Sequence, residues 1–163
     1  FSMSLATISP SIRDRFMTIL AAKKLDALME VRNPFDINPA ADDEAHLLCT
    51  EAMAAEPDVD SVVVGLDPTS PVVRSLKVSA RPGYDIDSPE SIVQTLPKLV
   101  ASCPKPIVGV IDGGPLFDPM ADKLMEQGVC IFRSSERATR ALVRYTEARL
   151  RAAHLRAQAA AGG

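Results

Sequence analysis

The stretch Asp58-Val-Asp-Ser-Val-Val-Val-Gly-Leu-Asp-Pro-Thr-Ser-Pro71 decides the fold class of this chain. Its central run, residues 61–66, is apolar and rich in β-branched side chains, and it stops at Gly, Asp and Pro, as a buried parallel strand does before a loop. Two further runs, at residues 106–111 and 129–132, are likewise continuous and apolar, without alternation of apolar and polar side chains. We predict that all three are strands of one sheet, covered on both faces.

Helical patterns separate or follow these strands, over residues 89–102, 115–127 and 135–156. Alternating strands and helices predict an α/β domain with a mainly parallel sheet, and we expect a flavodoxin-like arrangement of three layers. Residues 77–88 show no clear period and contain Pro82-Gly83, which predicts a surface excursion.

The N-terminal third reads as two helices joined by an extended turn, Asn33-Pro-Phe-Asp-Ile-Asn-Pro39. Ser9-Pro10 is typical of a helix start, and apolar spacing carries that helix to about Met29. Asp42, Asp43 and Glu44 predict the next helix start, and Pro57 its end. We assign residues 1–8 to a vector remnant or edge segment, 9–156 to one domain and 157–163 to a frayed tail.

Composition excludes several classes of partner. The chain has 163 residues, 47% of them apolar, which is enough for one sizeable core. A net charge of −3 predicts no basic surface for nucleic acid, and only seven aromatic residues leave few side chains on which bases could stack. No apolar run reaches the roughly 20 residues that cross a bilayer, so we expect no membrane partner. Three scattered cysteines predict neither a disulfide framework nor a zinc site, and favour a cytoplasmic location.

Ligands of open parallel sheets bind beyond the carboxyl ends of the strands. In the first such loop, Ser70-Pro71 resembles a helix start, which would leave the amides of Asp67, Thr69 and Ser70 facing an anion just after Gly65. The second loop, Asp112-Gly113-Gly114-Pro115, permits close backbone approach and opens another helix. The plainer interpretation leads: tight turns need glycine, and both aspartates cap turns through local hydrogen bonds.

A sharper alternative pairs Asp67 with Asp112 at one sheet edge, where two carboxylates would hold magnesium or a small phosphorylated ligand. His46 and His154 lie in predicted helices without a metal partner at helical spacing, so we expect surface or interface positions for both. No complete catalytic site and no metal site is predicted. The arginines of the last helix favour a solvated surface.

A family resemblance rests on the order of four segments. They are Asn33-Pro-Phe-Asp36 with the acidic helix start, Asp58–Gly65, Lys105-Pro-Ile-Val-Gly-Val110, and Gly128-Val-Cys-Ile-Phe-Arg-Ser134 with the helix that follows. In this order the segments resemble the ligase-CoA domain of NDP-forming acyl-CoA synthetases, the superfamily of succinyl-CoA synthetase. The resemblance covers about residues 6–146.

The resemblance implies one module of a larger ligase. Such a module works with a CoA-binding domain, a phosphohistidine domain and an ATP-grasp domain, and the whole enzyme converts acyl-CoA, NDP and phosphate to acid, CoA and NTP. Neither histidine has the setting of the phosphohistidine, so the chain resembles the histidine-free copy and would be inactive alone. CoA, nucleotide and magnesium would belong to the whole enzyme, with none bound by this chain. The phosphoryl-facing role would fall to Gly65, Asp67, Thr69 and Ser70.

Two departures from the family pattern stand out. Relatives often have a Gly-Gly turn where this chain has Asp67-Pro68-Thr69, and nothing before Ser9 matches the first strand and helix of the family. If that strand is internal to the family's sheet, its absence exposes strands that can pair with a second copy, which predicts a homodimer.

Overall fold

A computed structural model of the chain describes residues 3–28 and 30–161. The order of elements is α1 (Pro10–Ala22), a 3₁₀ turn (Asp26–Leu28), α2 (Asp43–Ala55), β1 (Val62–Gly65), α3 (Ile92–Ser102), β2 (Ile107–Val110), a 3₁₀ turn (Pro115–Phe117), α4 (Asp118–Glu126), β3 (Cys130–Phe132) and α5 (Ser135–Ala161). Helix α1 ends at Ala22, before its predicted end at about Met29, and the chain continues into the 3₁₀ turn. Met29 itself lies outside the described residues. Residues 3–8 form neither helix nor strand.

The sheet is small, open and entirely parallel. Its strands lie in chain order β1-β2-β3, with Gly65 beside Val110 and Val110 beside Phe132. Helices α2, α3 and α4 pack on one face and α5 contacts all three strands on the other. This is the predicted α/β, flavodoxin-like arrangement of three layers. The outer edge of β1 has no partner strand within the described residues.

The main core lies between the sheet and the three-helix face. It contains the inward side chains of β1 and the apolar sides of α3 and α4, among them Val62, Val64, Leu96, Met120 and Leu124. Helix α1 does not touch this layer directly but packs on α2, where Phe16 stacks on Phe35 of the extended turn with ring centroids 4.5 Å apart.

Helix α3 contains a proline, and the fold compensates for it. Pro97 has no amide hydrogen, so the carbonyl of Val93, four residues earlier, loses its helical donor. The side-chain amide of Gln127, at the end of α4, donates to that carbonyl over 2.9 Å. A helix that would otherwise carry an unsatisfied carbonyl is therefore joined to its neighbour.

The three strands lie where they were predicted, but the prediction that they are covered on both faces is only partly correct. Strand β2 is buried on both faces, as expected, whereas Val63 of β1 is 41% exposed because α5 leaves that part of the sheet uncovered. The predicted frayed tail is wrong for residues 157–161, which continue α5. Only Ala138 and Leu142 of this 27-residue helix are buried. None of the helices in the described residues is long and apolar enough to cross a bilayer.

Candidate functional site

The carboxyl ends of the three strands meet at one edge of the sheet, as predicted. The backbone hydrogen bonds between strands continue one residue beyond the ends of β1 and β2. The Leu66 amide donates to the Val110 carbonyl and the Ile111 amide to the Phe132 carbonyl, each over 2.9 Å. The loops that begin with Asp67, Asp112 and Arg133 therefore lie side by side.

The first loop closes on itself around Asp67. The Oδ1 atom of Asp67 accepts hydrogen bonds from the Thr69 amide, over 2.9 Å, and from the Thr69 hydroxyl, over 2.6 Å. This turn is the local capping role predicted for Asp67. The Thr69 amide, expected to face an anion, is consequently used within the loop.

The predicted helix start at Ser70-Pro71 is wrong. The Ser70 hydroxyl is buried and donates to the carbonyl of Pro39 over 2.7 Å, and its chain continues as turns up to Ser91, where α3 begins. The sequence Ser70-Pro71 fits a helix cap and a serine turn equally well. In the structure the Ser70 hydroxyl bonds to Pro39 and the chain forms a turn. Gly65 is exposed, with no atom close to the position that its Cβ would take.

Residues 67–91, which we call the strap, connect β1 to α3 and are tightly held. Four of its serines are buried and hydrogen-bonded: Ser70, Ser75, Ser88 and Ser91. Val73 and Ile86 of the strap join the main core, so the predicted surface excursion over 77–88 is correct for residues 77–83 but wrong at Ile86 and Ser88.

The start of α2 supplies the partner of the strap. Asp42 caps α2 by accepting from the Ala45 amide over 3.0 Å, and Lys23 bridges Asp42 and Glu44 at 2.8 and 2.6 Å. Although burial raises the pKa of Asp42, the hydrogen bonds from Lys23 and Ala45 outweigh it and lower that pKa. The same hydrogen bond to Asp42 raises the pKa of Lys23. The next residue, Asp43, is 1% exposed and points away from this network into the protein.

Asp43 joins α2, the strap and the first turn of α3. It accepts from the Ile92 amide over 2.8 Å, from the Arg74 guanidinium over 2.9 Å and from the Arg74 amide over 3.2 Å. Ser91 caps the same helix start, accepting from the Val93 amide over 3.2 Å. Sequence reasoning assigned Asp43 only to a helix start, because nothing in the chain signals that residues 43 and 92 meet.

The second loop packs against the first. A Cβ on Gly113 would lie 2.7 Å from Cδ2 of Phe117 and closer still to the ring of Pro68, so only glycine fits. Gly114 has a φ of +76°, a conformation that favours glycine, and its carbonyl accepts from Arg133 over 2.9 Å. The predicted helix start at Pro115 is a 3₁₀ turn, and α4 begins at Asp118. Asp112 is exposed.

The third loop leads into α5. Arg133 forms an ion pair with Asp118 at 2.8 Å, and its Nη1 atom is buried with no hydrogen-bond partner in the described part of the chain. The Ser134 hydroxyl accepts from the Arg137 amide over 3.3 Å, as a cap of α5. This loop thus ties the second loop to the last helix.

The histidines and cysteines do not join the loops. The prediction of a surface position for His46 is wrong: it is 6% exposed, with Nδ1 2.9 Å from the carbonyl of Asp42, whereas His154 is exposed as expected. Residues 3–28 and 30–161 contain no cluster of three or more potential metal ligands. All three cysteines are free, and burial raises the pKa of Cys49 to about 12.

We compared the chain with protein-family models, with curated proteins and with solved structures, and none of them matched significantly. The family resemblance therefore rests on the ordered sequence segments alone.

Proposed function

We propose that the chain is the histidine-free ligase-CoA module of an NDP-forming acyl-CoA synthetase. The observation that carries the proposal is the order of the family-like segments, two of which supply β1 and β2 with the loops that follow them, while a third supplies β3 and the start of α5. In the proposed enzyme the module acts in the cytoplasm as a docking unit and is inactive alone.

The donors of this chain do not fit a phosphate of CoA or a nucleotide at the strap. The amides of Thr69, Ile92 and Val93 are all used within the chain, and Asp67 adds a negative charge beside Thr69. We therefore assign CoA, nucleotide, magnesium and the phosphohistidine to other modules of the enzyme. This chain contributes a rigid edge of three packed loops against which those modules dock.

The open edge of β1 offers a second contact. Val63 and Gly65 of β1 are exposed because α5 covers only part of this face, and a strand from a partner module or a second copy would add to the free edge of β1. Strand addition would satisfy backbone groups of β1 that have no partner strand in the described residues.

The test uses the natural polypeptide that contains this chain, purified together with its bound subunits. Acyl-CoA, ADP or GDP, and phosphate are supplied, with several small acyl groups, and NTP formation is measured. We expect NTP formation that depends on CoA thioester and phosphate, and a base-stable, acid-labile phosphoryl label outside residues 1–163. No thioester-dependent NTP formation with any acyl group, or label on His46 or His154, would overturn the proposal.

A second candidate is a free-standing module that binds magnesium or a small phosphorylated ligand through Asp67 and Asp112. The contact between Pro68 and Gly113 favours it, because it brings the two aspartate-bearing loops together. Magnesium titration by calorimetry decides: binding by the wild type that is lost in both Asp67→Asn and Asp112→Asn supports this candidate. Absence of binding heat in the wild type excludes the magnesium form of it.

A further inference from the structure

The N-terminus of α3 is filled by a carboxylate of the chain itself. The first amides of a helix carry partial positive charge and commonly bind phosphate or other anions. Here the Ile92 amide donates to Oδ1 of Asp43 over 2.8 Å and the Val93 amide donates to Ser91. Asp43 is 1% exposed, so its carboxylate takes the place that an external anion would take.

Arg74 completes the surroundings of this carboxylate. Its guanidinium and its own amide both donate to Oδ2 of Asp43, over 2.9 and 3.2 Å. A guanidinium beside helix amides is the set of donors that a phosphate or carboxylate ligand recognises. Asp43 accepts from the Ile92 amide and from Arg74, and Ser91 accepts from the Val93 amide, so these donors are used without a ligand.

The same contacts hold the strap in place. The backbone carbonyl of Arg74 accepts a hydrogen bond from the Ser91 hydroxyl over 3.2 Å. The guanidinium of Arg74 lies 4.9 Å from the ring centroid of Tyr84 and donates to the carbonyl of Gly83 over 3.4 Å. Arg81 packs on the same ring at 4.2 Å. The middle of the strap is thus anchored to Asp43 through one arginine.

We propose that Asp43 is a built-in anion that closes the start of α3 and latches the strap through Arg74. These contacts use the Ile92 and Val93 amides within the chain, so this helix end does not offer them to a phosphate-bearing group. The latch itself follows from the contacts of this chain. One consequence rests on the proposed function: this module does not contact the phosphoryl group that the phosphohistidine of another module carries.

Chemical rescue tests the built-in anion with the 163-residue chain alone. Asp43→Gly removes an acetate-sized group and leaves the Arg74 and Ile92 donors facing the gap, whereas Asp43→Asn removes the charge but still fills the space. Thermal unfolding is followed in acetate, in phosphate and in chloride of equal ionic strength. We expect acetate and phosphate to raise the Tm of Asp43→Gly by several degrees in a saturable way, beyond their effect on the wild type and Asp43→Asn.

Equal salt dependence in the three proteins would overturn the proposal. If Asp43→Gly does not fold, the latch is tested with Arg74→Gln, and Lys98→Gln, an exposed position on α3 outside the strap, serves as its control. Thermolysin cleavage next to Val78, which is 80% exposed, is timed by mass spectrometry. We expect cleavage in Arg74→Gln to be several-fold faster than in the wild type and Lys98→Gln, and equal rates would refute the latch. Neither readout depends on ligase activity.

Discussion

Adding one methyl group at Gly113 tests the contact between the first two loops. The new Cβ would meet the ring of Pro68 and, at 2.7 Å, Cδ2 of Phe117. Neither ring can withdraw easily: the Pro68 carbonyl is held by the Ser75 hydroxyl over 2.6 Å, and Phe117 is 8% exposed within the main core. We therefore predict that Gly113→Ala destabilises the protein.

The magnitude follows from two opposing effects. Forcing a methyl group into a packed site costs about 1–3 kcal/mol. Replacing glycine also makes the unfolded chain less flexible, which stabilises the folded state by about 0.4–1 kcal/mol. Taking the middle of each range, the net loss is about 1.3 kcal/mol. At about 2–4 °C of Tm per kcal/mol for a chain of this size, the expected fall in Tm is roughly 3–5 °C.

Urea unfolding followed by far-UV circular dichroism measures this loss, with Gly109→Ala as the matched control. A Cβ at Gly109 would lie 2.5 Å from Cδ1 of Ile131, the end of a flexible side chain that can turn away. We expect Gly113→Ala to be clearly less stable than Gly109→Ala. If Gly113→Ala is as stable as the wild type, Pro68 does not pack against Gly113 and the loops are not joined as described.

Three further predictions concern the helices. Leu142→Ala should cost about 2–5 kcal/mol in urea unfolding because Leu142 is buried under the sheet, whereas Leu155→Ala, at a position 64% exposed, should change stability by less than about 0.5 kcal/mol. Gln127→Ala leaves the Val93 carbonyl without its side-chain donor and should cost about 1–3 kcal/mol by the same measurement, while an unchanged midpoint would show that water replaces the donor. Burial raises the pKa of Cys49 from 9.0 to about 12. The stability that the neutral thiol provides is therefore complete below pH 9 and is lost as the pH rises toward about 12. Between these pH values, the Tm of Cys49→Ala should fall less than the Tm of the wild type.

The sheet was predictable because its strands are simple in composition. Each lies within one residue of the predicted bounds, since a continuous apolar run of four to six residues is too short for a helix and fits a buried strand. The exposure of Val63 was not predictable, because it depends on where α5 crosses the sheet and not on the sequence of the strand itself. The length of α5 was underestimated because alanine-rich sequence continues a helix without any apolar stripe.

The loops were harder to predict because their local signals have two solutions. Ser70-Pro71 fits a helix cap as well as a serine turn, and Pro39, 31 residues earlier, selects the turn. Asp43 shows the same limit more strongly, since its partners Arg74 and Ile92 lie 31 and 49 residues away. His46 was misplaced because a histidine on a helix is equally compatible with a buried ring that bonds to the backbone.

The position of α5 in the chain has a consequence for synthesis on the ribosome. The three strands end by Phe132, but Val108 and Val110 on the α5 side of the sheet pack against Ala138 of α5, which is made later. A nascent chain therefore displays this apolar surface until the first turns of α5 have left the exit tunnel, a stage at which exposed strands are prone to aggregate or to be held by chaperones. Packing of α5 on the sheet is thus the step that removes this apolar surface from contact with other chains.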